Sequence, residues 1–295
     1  MYYLTGFADE AAKDLDGKIR ATKELGWSHI EARSIGETNL HDLSEPEFER
    51  VCGELQKAGI AINCFGSRIA NWQKDVKAPF EEDMAEVQRC IPRMKRLGTK
   101  LVRIMSYPVL KDRGPEDQMA EERFRRLREI VKAFADEGLQ PVHENCMNYG
   151  GMGYTYTLRI LENVPGLKLV FDTGNTVGSV DYSKPEPYPK QSSWEFYSHV
   201  REHVAYLHIK DGRWDEGAGK VTYTMPGEGE GDVKRIVKDV LDNGYDGGIS
   251  MEPHIAAVYH DESVVSPEQK KFDTYVEYGR RFEALVRELG YEEHG

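Results

Sequence analysis

Four short runs in the second half of the sequence end on residues that bind metals or move protons. They are Gln140-Pro-Val-His-Glu-Asn145, Leu167-Lys-Leu-Val-Phe-Asp-Thr-Gly-Asn175, Val204-Ala-Tyr-Leu-His-Ile-Lys-Asp211 and Gly248-Ile-Ser-Met-Glu-Pro-His254. Each is apolar and strand-like, and each closes on one such residue: Glu144, Asp172, His208 and Glu252. Buried strands favour apolar side chains, so a charged or ligating residue at the end of four successive strands needs a reason. Side chains alternate along a strand, which puts Glu144 on the face of Val142 and His208 on the face of Tyr206. If those faces look inward, the four residues meet at one level. Three carboxylates and one imidazole make a hard, oxygen-rich donor set. It suits a single divalent ion, Mn²⁺ foremost or Mg²⁺, and admits Co²⁺, Fe²⁺ or Zn²⁺. Four protein ligands in an octahedron leave two positions for substrate oxygens.

Elements that could position such a set recur along the chain. The first half carries strands at Tyr2–Phe7, His29–Arg33, Ala61–Phe65 and Lys100–Met105. Amphipathic runs follow them: Leu15 to Leu25, a helix opened by a Ser44/Glu47 capping box and stopped at Gly59, Phe80 to Leu97 with Pro92 as a kink, and Glu116 to Glu137. The second half repeats the beat, with helices near Tyr156–Asn163, Trp194–Val200, Val233–Leu241 and Glu268–Leu289. Eight alternating strand–helix units call for a parallel sheet with helices outside it. In one domain spanning 1–295 they fit a single (β/α)8 TIM barrel. An open doubly wound sheet fits less well, because no GxGxxG follows the first strand. The long connections all follow strands, the side on which this fold carries its active site. Two of them, Lys184-Pro-Glu-Pro-Tyr-Pro189 and Pro226-Gly-Glu-Gly-Glu-Gly231, read as lids or partner surfaces.

Composition narrows the function. The formal net charge of −12 argues against a nucleic-acid partner, whose phosphates reward clustered Lys and Arg. The one basic cluster, Arg123 to Arg128, alternates with Glu and Leu and reads as a solvated helix face. Four cysteines show no CxxC or zinc-ribbon spacing and read as free thiols of a reducing compartment. Asp9 and Glu10 interrupt the N-terminal run before a secretory h-region could form, and no apolar run reaches the length of a bilayer span. A cytoplasmic protein without a membrane partner is expected.

At these residues the chain resembles the xylose isomerase-like TIM barrels, the sugar isomerase and epimerase group related to ketose 3-epimerases and inosose-processing enzymes. The resemblance spans nearly the whole chain. It rests on His143-Glu-Asn145, Phe171-Asp-Thr-Gly-Asn175, Leu207-His-Ile-Lys-Asp211, Pro226–Gly231, Gly244-Tyr-Asp-Gly247 and Met251-Glu-Pro-His254. It implies a sugar or polyol substrate, one divalent metal and a homo-oligomer. It also implies that Glu144 and Glu252 exchange the substrate proton, while Asp172 and His208 only ligate. A C–H beside a carbonyl is too weak an acid for a free carboxylate at neutral pH. A metal holding the carbonyl oxygen and its neighbouring hydroxyl stabilises the enediolate. Proton return to the same carbon gives epimerisation; return to its neighbour gives isomerisation.

The sequence departs from the ketose 3-epimerases at Asn175, where they carry a His, and at Trp214, where they carry an Arg (here Arg213 is adjacent). These departures speak against a plain ketose 3-epimerase, and Asn175 with the long Pro-rich loop points to elimination as the alternative: dehydration of a keto-inositol or cleavage of a 3-keto-glycoside. Two rivals lie in other classes. The apurinic endonucleases of related fold need three zinc ions and a basic groove, and a non-catalytic sugar-binding subunit needs no chemistry at all. Substrate contacts are expected from Asn175, Lys210, His254, His143, Arg103, Glu31 and Trp214. His143 is a further base or a packing residue, since it alternates away from Glu144. Arg33 and Arg68 follow early strands, and Trp72 and Trp194 sit with Trp214 in loops where aromatic faces suit sugar rings.

Overall fold

The computed structural model describes residues 1–258 and 264–291. Eight parallel strands form one sheet: β1 (Tyr3–Gly6), β2 (His29–Ala32), β3 (Ala61–Gly66), β4 (Leu101–Ile104), β5 (Gln140–Glu144), β6 (Lys168–Asp172), β7 (Val204–Ile209) and β8 (Gly248–Met251). Their spatial order is β1-β8-β7-β6-β5-β4-β3-β2. The two ends meet at a bridge between Phe7 and Glu31, which brings the sheet round to a single (β/α)8 barrel. The helices between them are α1 (Leu15–Glu24), α2 (Glu45–Ala58), α3 (Glu81–Leu97), α4 (Ala120–Ala135), α5 (Tyr154–Asn163), α6 (Ser193–Val200), α7 (Val233–Asp242) and α8 (Glu268–Glu288). No helix among the described residues is long and apolar enough to cross a membrane.

Local chemistry explains the helix ends. The Ser44–Glu47 capping box opens α2, and Gly59 closes it in the left-handed region at φ 67°. Helix α7 buries Val233, Ile236, Val237, Val240 and Leu241, the spacing of one helical face. Helix α3 runs through Pro92.

Strand alternation divides the barrel into two cores. Leu169, Phe171, Leu207, Ile209, Ile249 and Met251 face outward beneath the helices. Cys64, Val142, Val170 and Tyr206 face inward and fill the interior one layer below the site. Because Val142, Val170 and Tyr206 point in, the residues two further on, Glu144, Asp172 and His208, point in at the mouth. Below them Asn63 donates to the hydroxyl of Tyr206 at 2.8 Å and accepts from Thr5.

Two expectations are corrected. The run Arg123–Arg128 is not a uniform solvated face: Arg125 and Arg128 are exposed, but Arg123 and Arg126 are buried. The Arg123 guanidinium donates to the carbonyls of Gln118, Ser106, Tyr107 and Pro108, tying down the loop between β4 and α4. That loop also delays α4 until Ala120, because Gln118 exchanges hydrogen bonds with the backbone of Leu110. The second correction concerns the segment 211–231, which contains an antiparallel hairpin, Gly212–Asp215 with Lys220–Tyr223, in addition to its Gly-rich part. A smaller hairpin, Ser34–Ile35 with Thr38–Asn39, follows β2.

The Gly-rich segment is clamped. Both oxygens of the Asp211 carboxylate accept backbone N–H groups, from Gly212 and Gly231 on one and from Gly227 and Gly229 on the other, at 2.8–2.9 Å. A Cβ on Gly229 would lie 2.2 Å from the Asp211 carboxylate, so the close approach requires glycine. Asp211→Ala removes one charged acceptor from four donors. It should cost about 2–3 kcal/mol in denaturant unfolding and accelerate amide exchange at Gly227, Gly229 and Gly231. Unchanged exchange at those amides would show that the segment is held by other contacts.

Candidate active site

Glu144 is the last residue of β5 and Asp172 the last of β6. His208 stands one residue from the end of β7, and Glu252 follows β8 directly. Strand register puts Asp172 opposite His208, and the Glu252 amide donates to the Ile209 carbonyl at 3.0 Å. One ligand atom from each of the four lies within 4.8 Å of the others, and all four side chains are buried. His208 Nδ1 is 3.7 Å from Glu144 Oε1 and 3.9 Å from Asp172 Oδ2.

The fit to a cation can be tested on the atoms themselves. His208 Nδ1 is buried without a hydrogen-bond partner, while Glu144 Oε2 and Asp172 Oδ2 meet only cations of the chain, Arg103 at 3.1 Å and Lys210 at 3.0 Å. An imidazole nitrogen buried in this way costs about 1–3 kcal/mol unless something else satisfies it. Charge tells the same story. Burial raises the Asp172 carboxyl against the pull of Lys210, and the neighbouring Glu252 and Glu144 raise it further. Burial also opposes the charge of His208, yet Glu31 and Glu144 outweigh it and push the imidazole up. Both shifts recruit protons to offset crowded carboxylates, the work a divalent ion does better. The donor set therefore fits one hard divalent cation.

Cations of the chain orient the two glutamates. Arg103 lies 3.1 Å from Glu144 Oε2, and Asn175 Nδ2 donates to Glu144 Oε1 at 3.0 Å. Arg33 donates to Glu252 Oε1 at 2.6 Å, and Lys210 Nζ donates to Glu252 Oε2 at 2.8 Å while standing 3.0 Å from Asp172. Burial opposes the charge of both glutamates. Arg103 and His208 nevertheless hold Glu144 below the usual carboxylate range, and Lys210, His254 and Arg33 hold Glu252 well below it.

Glu31, on β2, lies behind the site rather than in the cavity. Both its oxygens face His208 Nε2, at 3.0 and 3.2 Å, which turns Nδ1 toward the carboxylates. A carboxylate on the far nitrogen fixes the tautomer and orientation of a ligating histidine. Glu31→Gln should therefore weaken Mn²⁺ binding by about 10–100-fold in a calorimetric titration. An unchanged affinity would remove Glu31 from that role.

The cavity above the cluster holds about 260 Å³ and is lined by Arg33, Arg103, Asn175, Lys210, Trp214 and His254, together with both glutamates. Trp72 lines it as well; Trp194 instead carries Arg235 on its ring at 3.7 Å, and Arg68 pairs with Asp42. His143 points away from the cavity. Its Nε2 lies 3.0 Å from the Ser106 hydroxyl, and burial pulls its pKa down to about 4.

Sequence reasoning passed over Glu10, which follows β1 at the mouth. Its carboxylate accepts from the backbone N–H of His254 at 2.8 Å and lies 2.9 Å from His254 Nδ1, holding that residue at φ 57°. The signal was an acidic pair just past the first strand. Glu10, Glu252 and His254 also converge, but the Arg33 guanidinium already sits on Glu252 at 2.6 Å and on Glu10 at 3.3 Å, filling the place of a second cation.

The sequence profile described as Xylose isomerase-like TIM barrel matches residues 19–274. No curated protein matches the chain significantly. Among solved structures, a xylose isomerase-like TIM barrel protein from Mycobacterium smegmatis in complex with magnesium is 18% identical, with TM-score 0.66 over 95% of this chain and 96% of that one. The probable 3-DHS dehydratase AsbF of Bacillus anthracis is 16% identical, with TM-score 0.67 over 96% and 98%. A D-tagatose 3-epimerase-like protein is 15% identical, with TM-score 0.68 over 98% and 100%. At these identities the likeness is one of fold. The profile match, which takes in all but the first and last stretches, carries the assignment: the chain belongs to the xylose isomerase-like TIM barrel family.

Proposed function

We propose that the protein is a divalent-metal-dependent isomerase or epimerase of a sugar or polyol, acting by proton abstraction beside a carbonyl. The carrying observation is the convergence of Glu144, Asp172, His208 and Glu252, with the buried His208 Nδ1 left without a hydrogen-bond partner. Mn²⁺ is the ion proposed, and a similar structure solved with magnesium supports a hard cation of this kind. When bound, the ion supplies Lewis-acid polarisation of a carbonyl and its neighbouring hydroxyl.

The chain's own residues do the rest. Glu144 and Glu252 stand on different strands, so a substrate carbon between them meets a carboxylate from either side. Each is kept ionised by a buried guanidinium, Arg103 or Arg33, as a general base must be. One takes the proton; its return, from the same carboxyl or from the other, completes an isomerisation or an epimerisation. The hairpin Gly212–Tyr223 leans over the site and limits water.

A second reading, elimination from a keto-inositol or 3-keto-glycoside, draws on Lys210. Its ammonium between Asp172 and Glu252 places a hydrogen-bond donor where a departing oxygen could be stabilised. A relative named as a probable dehydratase shares the fold. The test is proton NMR in D₂O on a panel of ketoses, inososes and 3-keto-glycosides, with Mn²⁺ and then with EDTA. Metal-dependent loss of one C–H signal supports the proposal, and the product separates isomerase, epimerase and lyase. A metal-loaded protein that exchanges no C–H of the panel would overturn it.

A further inference from the structure

The cavity is polar at its floor and apolar at its rim. The charged groups all lie at the strand ends, whereas the rim carries Trp72, Met147, Trp214, Val221 and Tyr223. Three of these come from the hairpin Gly212–Tyr223, and its pairing shows why. Trp214 stands opposite Val221 and Gly212 opposite Tyr223, so Trp214, Val221 and Tyr223 share one face. That face lines the cavity, while Arg213, Asp215, Lys220 and Thr222 on the other are exposed.

The hairpin is built to hold this wall in place. Gly178 on the neighbouring loop has no room for a side chain, since a Cβ there would lie 2.8 Å from Val221. Lys190 stands 3.3 Å over the Trp214 ring and donates to the Gly178 carbonyl, fixing the indole from outside. The Trp214 indole N–H is buried without an acceptor from the described residues. Across the cavity Met147 is 54% exposed, one of three large apolar side chains so exposed among the described residues.

A free sugar seated on the charged floor presents hydroxyls in every direction and leaves such a rim uncovered. Sites that grip a second sugar ring pair an aromatic face with planar polar side chains; this rim offers Met, Val and an indole instead. We propose that the substrate is a sugar or polyol bearing an apolar, planar substituent, with the sugar on the charged floor and the substituent between the hairpin wall and Met147. The proposal rests on the proton-transfer reading for the placement of the sugar.

The test measures affinities of methyl β-D-glucoside, phenyl β-D-glucoside and cellobiose for the Mn²⁺-loaded protein by ligand-observed NMR. The phenyl glucoside should bind at least tenfold more tightly than either of the others, which corresponds to about 1.4 kcal/mol. That preference should shrink in Trp214→Ala and, by a smaller factor, in Met147→Ser, whose exposed side chain is not needed for folding. Equal affinities, a preference for cellobiose, no binding of any of the three, or a phenyl preference untouched by both substitutions would overturn the proposal. Absence of C–H exchange from the panel, alongside an intact phenyl preference, would instead overturn the proton-transfer reading and leave the wall standing.

Discussion

Glu252→Gln should lower metal-dependent C–H exchange by about 10²–10⁴-fold at saturating Mn²⁺, the usual contribution of a positioned general base. The amide keeps the shape of the side chain and an oxygen that can still accept from Arg33 or Lys210. What it loses is the charge that accepts a proton. Saturating the metal separates this loss from weaker ligation, and an independent titration of Mn²⁺ gives the ligand effect its own number. Glu144→Gln should behave in the same way if both carboxyls handle the proton. Exchange within about threefold of wild type in Glu252→Gln would take that residue out of proton transfer and leave it a ligand alone.

Arg33→Ala should destabilise the fold by about 3–5 kcal/mol, lowering the thermal midpoint by roughly 10 °C, and should disable the site as well. The guanidinium is buried and reaches three carboxylates: Asp9 at 2.8 Å, Glu10 at 3.3 Å and Glu252 at 2.6 Å. It also stacks on Phe7 at 3.8 Å. Removing it strands several buried negative charges, which is far more costly than losing a surface ion pair. Arg33→Lys should recover only part of the loss, because an ammonium cannot span Asp9, Glu10 and Glu252 at once. Thermal unfolding checks both variants, and a shift of less than about 2 °C in Arg33→Ala would show that the carboxylates find protons or water instead.

Much of the barrel and its mouth was legible because the signals were local. A strand that is apolar until its last inward position, four times in succession, announces both the element and the level at which Glu144, Asp172, His208 and Glu252 meet. His143 was expected among the substrate contacts, but strand alternation turns it away from Glu144 and onto the Ser106 hydroxyl. Nothing local marked Arg123 as buried: its acceptors are carbonyls of a loop whose path depends on Gln118, while its helix neighbours Glu121, Glu122 and Arg125 are those of a surface. The hairpin was obscured by glycines around two strands of four residues each, too short for their alternation to stand out. Glu10 and His254 lie 244 residues apart, and only closure of the barrel makes them partners.

Glu144, Asp172, His208 and Glu252 are proposed to hold one divalent ion at the barrel mouth. Isothermal titration of Mn²⁺ into EDTA-stripped protein tests this most directly, with Asp172→Ala and His208→Ala as comparisons. The account predicts one ion per chain in the wild type and affinity lowered at least 100-fold in each variant, with the thermal midpoint rising on binding only in the wild type. Wild-type binding that survives both substitutions, or no binding at all in a folded chain, would contradict it.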